Sequence, residues 1–98
     1  MFYEGLTKTR IHYAVIVWQD ELLIIGGMKS TMDYTTANEG YKIEIDNDGI
    51  LMLKPFLMPK LYNNRYNHSL FVLSGLLFVV FGRTKDERFN CEFEWLDL

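Results

Sequence analysis

The chain has 98 residues, of which 49% are apolar and 15% aromatic, and it carries a net charge of −3. This apolar content is typical of a folded protein rather than a disordered one, although one small domain of this length buries only a modest core. Acidic and basic residues are interspersed, so the chain has neither a basic face for nucleic acid nor a lysine- or arginine-rich block for a membrane surface. We therefore expect no nucleic-acid partner and no membrane partner.

The cysteine content predicts a reducing compartment. Cys91 is the single cysteine, so an internal disulfide is excluded and we expect a cytoplasmic, intracellular location, with the cytoskeleton as one option. The first five residues lack the basic and apolar regions of a signal peptide. Residues 70–81 are mostly apolar, but a spanning helix needs about 20 such residues, and Ser74-Gly75 within the run is typical of a hairpin turn.

Two segments of the chain repeat each other. The equivalent residues, with their offsets in the sequence, are Arg10 and Arg65 (55), His12 and His68 (56), and Gly27 and Gly82 (55). Each arginine precedes an apolar run, and each glycine closes one. A fixed period of this size predicts repeats of the propeller type.

The first repeat, residues 10–59, begins with two short apolar runs. Residues 12–17 and 22–25 are separated by a polar break, which predicts a hairpin of two central strands. A glycine pair closes the second run, where the backbone is free to adopt a positive φ. Residues 28–38 are polar and irregular, so we expect a loop there.

Two further strands complete the first repeat. Residues 41–45 alternate apolar and charged side chains, with the period of a half-buried strand. The Asp-Asn-Asp-Gly sequence at 46–49 predicts a turn, since these residues tolerate left-handed backbone angles. Residues 50–53 form the fourth predicted strand, which Pro55 and Pro59 are expected to end because proline cannot donate to a ladder.

The second repeat, residues 60–98, follows the same plan. Its predicted hairpin has strands at 68–73 and 76–81, and its third strand lies at 91–95. Alternation in this third strand places Cys91, Phe93 and Trp95 on one face and Glu92 and Glu94 on the other, solvated face. The sequence stops before a fourth strand.

These elements predict an all-β fold. Each repeat is expected to be a four-stranded antiparallel meander, and no stretch has the 3.6-residue apolar period of a helix. The N-terminal segment, residues 1–9, is expected to supply the strand that the second repeat lacks. Within it, residues 2–6 are the predicted closing strand.

The two repeats resemble the kelch repeat. Residues 65–70 (Arg-Tyr-Asn-His-Ser-Leu) are similar to its basic and His-Ser opening, and residues 24–27 (Ile-Ile-Gly-Gly) to its glycine pair. Residues 94–97 (Glu-Trp-Leu-Asp) look like its acidic-aromatic segment, and residues 39–41 (Glu-Gly-Tyr) are a looser version. The resemblance extends over about residues 10–98.

The chain departs from the kelch pattern at three places. Phe81 stands where the second glycine pair would begin, and Leu51 and Leu53 stand where the family usually carries a tryptophan. The first repeat also has Arg-x-His in place of Arg-x-x-His. We therefore interpret the repeats as divergent members of the family.

The resemblance implies two four-stranded antiparallel kelch-type blades, either a partial β-propeller or part of an assembled ring. Propellers have about four to eight blades, and two blades alone would expose large apolar faces. We therefore expect a homo-oligomer, for which about three copies would close a six-bladed ring, or a subunit of a larger assembly. A fragment of a longer propeller is a further alternative.

Residues with catalytic or metal-binding chemistry are sparse. The only histidines, His12 and His68, are expected to occupy the same place in each repeat and to have structural roles, whereas a metal site needs several converging ligands. The sequence has no nucleophile motif, and no phosphate-binding pattern follows Gly26-Gly27. We therefore predict no catalytic residues, no metal site and no cofactor.

The resemblance implies a non-catalytic protein-protein interaction or scaffold module, because kelch propellers mostly bind other proteins. Partners of such propellers often contact the segment before the first strand of each blade, which here contains Arg10, Arg65, Tyr66 and Asn67. The alternative is a structural subunit or degenerate fragment within a larger complex. A propeller enzyme of the copper-oxidase or sugar-epimerase type is a weaker alternative, since a copper site needs Tyr, His and Cys side chains from several blades.

Overall fold

The structure is a computed structural model that describes residues 11–30, 33–84 and 92–98. Within these ranges it contains nine β-strands and no helix, so the predicted all-β fold class is confirmed. The strands are β1 (Ala14–Trp18), β2 (Glu21–Ile25), β3 (Met28–Ser30), β4 (Asp33–Tyr34), β5 (Glu39–Ile45), β6 (Leu51–Phe56), β7 (Ser69–Leu73), β8 (Leu76–Val80) and β9 (Phe93–Asp97). In the described part of the chain, no helix is long and apolar enough to cross a membrane.

The first sheet has four antiparallel strands in the order β1-β2-β5-β6. β1 and β2 form a hairpin whose turn residues, Gln19 and Asp20, have φ angles of 45° and 61°. Two successive positive φ angles are typical of a type I′ turn, whose twist matches that of the flanking strands. The strand order shows that the predicted hairpin and the third and fourth strands of the first repeat lie in one sheet.

Two details of the first repeat differ from the prediction. β6 continues past Pro55, which lies opposite Tyr41, and ends at Phe56. The strand accommodates the proline because β6 is at the edge of the sheet, where a backbone nitrogen can do without a ladder partner. The segment at 28–38, predicted as a loop, contains the β3–β4 hairpin. These two strands are too short and polar to show an apolar alternation in the sequence.

The second sheet has three antiparallel strands within the described residues, in the order β7-β8-β9. The predicted hairpin turn at Ser74-Gly75 is confirmed, with φ angles of 52° and 76°. The expectation of a four-stranded second blade is corrected to a three-stranded sheet in the part of the chain that the structure describes. Residues 2–6, expected to add the fourth strand, and Cys91 lie outside that part.

The two sheets repeat each other at an offset of 55 residues. The equivalent cross-strand rows are Ile16, Leu23 and Gly40 in the first sheet and Phe71, Phe78 and Trp95 in the second. Every member of the second row lies 55 residues after its counterpart in the first. The sequence repeat is thus also a structural repeat, with no insertion between the hairpin and the third strand.

The hydrophobic core lies between the two sheets. The first sheet contributes Leu23 and Ile25, and the second contributes Leu77, Val79 and Leu96. Leu61, in the connection between the repeats, completes this buried cluster. Burying a side chain of this size contributes about 1.5–3 kcal/mol, so this stacking is the main contact that positions one repeat against the other.

Candidate functional site

The predicted partner-contact segment lies at one end of both sheets, which we call the glycine end because Gly82 and its equivalent in the first repeat mark it. Tyr66 and Arg83 exchange two backbone hydrogen bonds there, of 3.0 and 2.9 Å, and the same bridge joins Ile11 to Met28 in the first repeat. Gly82 has a φ of 86°, and a Cβ on it would lie 2.8 Å from the carbonyl oxygen of Tyr66. Glycine is therefore required for this close approach of the backbone.

Arg65 anchors the segment from inside the protein. Its side chain is fully buried. Nε donates to Oε2 of Glu94 at 3.1 Å, and Nη1 donates to the carbonyl oxygens of Phe81 and Glu92 at 3.0 and 2.6 Å. Since a buried guanidinium needs a counter-charge and hydrogen-bond acceptors, these contacts hold the segment before β7 against both ends of the β8–β9 connection.

Glu94 has a structural role that alternation along the strand does not predict. Its side chain is only 14% exposed. Besides pairing with Arg65, its carboxylate accepts hydrogen bonds from the backbone N–H groups of Tyr62 and Asn63, the latter at 3.2 Å. The prediction of a solvated face holding both Glu92 and Glu94 is therefore wrong for Glu94, because this face of β9 is turned toward the first sheet.

The predicted partner-contact residues separate into buried and accessible positions. Arg65 is fully buried, whereas Tyr66 is half-buried and Asn67 is exposed. The N–H of Asn67 donates to the carbonyl oxygen of His12 at 3.3 Å, and the rings of His12 and Tyr66 are 6.1 Å apart. We call His12, Tyr66 and Asn67 the junction surface. Arg10 lies outside the described residues.

The two histidines are not structurally equivalent, contrary to the prediction. His12 is exposed with a φ of 55°, and Asn67, 55 residues later, has a φ of 54°. His68 is buried and takes the position that Tyr13 has in the first repeat. The spacing explains this difference, because Arg-x-His places the first histidine one residue earlier than Arg-x-x-His places the second.

His68 joins the two sheets through its ring. Nε2 lies 2.8 Å from the carbonyl oxygen of Ile25, so this nitrogen carries the proton and donates it. Nδ1 is buried with no hydrogen-bond partner among the described residues. Burial lowers the pKa of His68, and the positive charge of Arg65 lowers it further, against the opposing effect of the Ile25 bond. Together these effects favour the neutral form of the ring where the sheets meet.

A metal site needs several converging ligands. Within residues 11–30, 33–84 and 92–98, no three His, Cys, Asp or Glu side chains are placed to hold a metal ion. The glycine end presents a short surface of aromatic, imidazole and amide groups, and the buried contacts of Arg65 hold its backbone in place.

The comparisons with known proteins name no family. No protein-family model matches the chain, and no curated protein matches it.

Proposed function

We propose that the chain is a non-catalytic protein-interaction or scaffold module of the kelch-propeller type, in which each sheet is one divergent blade. Three features support this proposal. The resemblance in sequence covers both repeats, and each repeat has a hairpin, a third strand and a left-handed glycine at the same offset of 55 residues. Sheets stacked face to face are also the packing that propeller blades require.

The observation that carries the interaction role is the fixed junction surface. Tyr66 and Asn67 follow directly on buried Arg65, whose ion pair and two carbonyl contacts hold their backbone in place. A rigid surface loses little conformational entropy when a partner binds. Aromatic side chains are also enriched among the residues that contribute most to binding energy. Another protein is therefore the partner class that this surface suits.

Photo-cross-linking tests this role. Tyr66 is replaced by the photoreactive residue p-benzoylphenylalanine, and the purified chain is irradiated in a lysate of its source cells. We expect a discrete cross-linked protein whose yield falls when excess wild-type chain competes. Substitution of His12 or Asn67 by alanine in the same chain should reduce the yield.

Tyr62 provides the matched control. It is also a tyrosine, it is 88% exposed, and it lies outside the junction surface. The same photoreactive residue at Tyr62 should not capture the protein captured at Tyr66. An identical pattern from both positions, or no discrete product from Tyr66, would contradict an interaction role for the junction surface.

A structural subunit of a larger complex is the second candidate. It is favoured by the large apolar side chains on the outer sides of both sheets, which include Val15, Val17, Phe71 and Trp95. Contiguous exposed apolar surface marks interaction sites in soluble proteins. If this candidate holds, the purified chain aggregates alone and is recovered in a defined complex only with other chains.

A further inference from the structure

The second sheet has an outer face built from aromatic side chains. We call this the aromatic face; it consists of Phe71, Leu73, Phe78, Phe93 and Trp95. The rings of Phe71 and Phe78 stack at 4.9 Å, and the Phe78–Phe93 and Phe93–Trp95 ring pairs are each 6.2 Å apart. Trp95 at the centre of β9 is 58% exposed. The face therefore extends as one apolar surface across all three described strands.

The first sheet has an outer face of a different kind, built from aliphatic side chains at its turn end. We call this the aliphatic face; it consists of Val15, Val17, Ile43 and Ile45. Val17 is 60% exposed. The stacked pair of sheets therefore has the aromatic face on one outer side and the aliphatic face on the other.

The contact between the two sheets inside the chain is made by two unlike faces. The first sheet contributes the face that contains Ile16 and Leu23, and the second contributes the face that contains Leu70, Val72 and Leu77. Because the faces differ, the contact is of the head-to-tail type, in which each unit uses one face toward one neighbour and the other face toward the next.

The offset of 55 residues shows which internal faces the outer faces correspond to. Phe71 and Phe78 in the aromatic face have the positions of Ile16 and Leu23. In the aliphatic face, Val15 and Val17 have the positions of Leu70 and Val72. Each outer face is therefore the counterpart of a face used in the internal contact. On the first sheet only the β1 side and the turn end of that face are open, because Ile24 and Tyr41, the counterparts of Val79 and Leu96, are already buried.

We propose that the aromatic face binds the exposed aliphatic face of a second copy of this chain, so that copies join head to tail in the same order of faces as the internal contact between the sheets. Both halves of the contact belong to the same chain, and this singles out a second copy as the occupant. A head-to-tail contact gives a closed ring when the rotation between copies allows it. If the two stacked sheets of each copy each serve as one blade, two to four copies fall within the range of about four to eight blades for a closed propeller.

The glycine end of the new contact differs in detail from the internal one. Gly26 lets the ring of His68 approach, since a Cβ on Gly26 would lie 2.9 Å from Cε1 of that ring. Phe81 stands at the equivalent position of the second sheet, and Tyr13 is the equivalent of His68. In the contact between copies, Phe81 and Tyr13 take the places that Gly26 and His68 have in the internal contact. Because two aromatic side chains need more room than one ring against a glycine, the two copies lie slightly further apart at this end.

Complementary variants test the proposal. Light scattering after size exclusion gives the solution mass of wild type, of Val17→Glu, which blocks the aliphatic face, and of Trp95→Glu, which blocks the aromatic face. We expect wild type to form a discrete oligomer of about two to four copies and each variant to be a monomer. An equimolar mixture of the two variants should give a heterodimer, because one intact face remains on each partner.

Leu57→Glu is the matched control, since Leu57 is 97% exposed and belongs to neither face; it should keep the wild-type mass. Phe93→Glu serves as a second block of the aromatic face if Trp95→Glu loses the wild-type circular-dichroism spectrum. A monomeric wild type overturns the proposal, as does an oligomer that survives both blocks of the aromatic face. Variants that stay monomeric when mixed overturn it too. Cross-linking from Tyr66 is a separate measurement, so the interaction role and the self-assembly can fail independently.

Discussion

Nε of Arg65 lies 3.1 Å from Oε2 of Glu94, and this ion pair connects the segment that opens the second repeat to the last described strand of the same sheet. The two residues are 29 positions apart. The pair lies beneath the junction surface, so the stability of the fold and the shape of the proposed binding surface depend on the same contact.

Glu94→Gln tests this pair. The substitution keeps the shape of the side chain but leaves the buried charge of Arg65 without its counter-charge, which typically costs about 3–5 kcal/mol. We expect a large fall in the urea midpoint of unfolding. Glu44→Gln is the matched control, because Glu44 pairs with Lys54 at 2.8 Å on the surface, and it should barely move the midpoint. Equal effects of the two substitutions would show that burial does not strengthen the Arg65–Glu94 pair.

Stability should fall as the solution is acidified, because of His68. Its pKa is lowered in the folded state, mainly by burial, so the unfolded chain takes up a proton first as the pH falls through about 6.5. The free energy of unfolding then decreases from about pH 6.5 down to the folded-state pKa, and this group has no effect well above pH 6.5. Urea unfolding at pH 7.5 and pH 5.5 measures the loss. The His68→Gln variant should lose less stability than wild type between these two pH values. An equal loss in the two proteins would mean that other titrating groups cause it.

Two glycines with similar backbone angles should respond differently to alanine. Gly75 and Gly82 have φ angles of 76° and 86°, but a Cβ on Gly75 meets nothing within 4 Å, whereas one on Gly82 meets His68 and Tyr66 at 2.8 Å. We expect Gly75→Ala to cost about 1–2 kcal/mol for the left-handed backbone alone. Gly82→Ala should cost about 1–3 kcal/mol more, because neighbouring groups must move. Thermal unfolding of both variants measures the difference, and equal costs would remove the argument for a close approach at Gly82.

Phe81 is expected to hold a strained backbone. Its φ is 58°, which is unfavourable for a bulky residue, and its side chain is 63% exposed. Phe81→Gly and Phe81→Ala remove the same ring, so their difference reports the backbone. We expect the glycine variant to be more stable by about 1 kcal/mol, measured by urea unfolding. An alanine variant of equal or greater stability would mean that the backbone relaxes to a negative φ.

Glu94 and Trp95 show that alternation along a strand predicts which residues share a face but not which face is exposed to solvent. The sequence correctly predicts that Phe93 and Trp95 share one face of β9 and that Glu94 lies on the other. It assigns the wrong face to the solvent, because apolar residues are assumed to point inward. Both faces of this sheet are largely apolar, so hydrophobicity alone cannot tell which of them meets the first sheet.

Features that depend on neighbouring residues follow from the amino-acid sequence alone. These are the all-β class, the two hairpins with their turns, and the repeat at an offset of 55 residues, because alternation and turn chemistry act within a few residues of the chain. The burial of Arg65 and the choice of the β9 face that meets the first sheet could be read only from the folded chain. Those outcomes depend on contacts between distant segments, such as the bond from His68 to Ile25, which form only when one sheet stacks on the other.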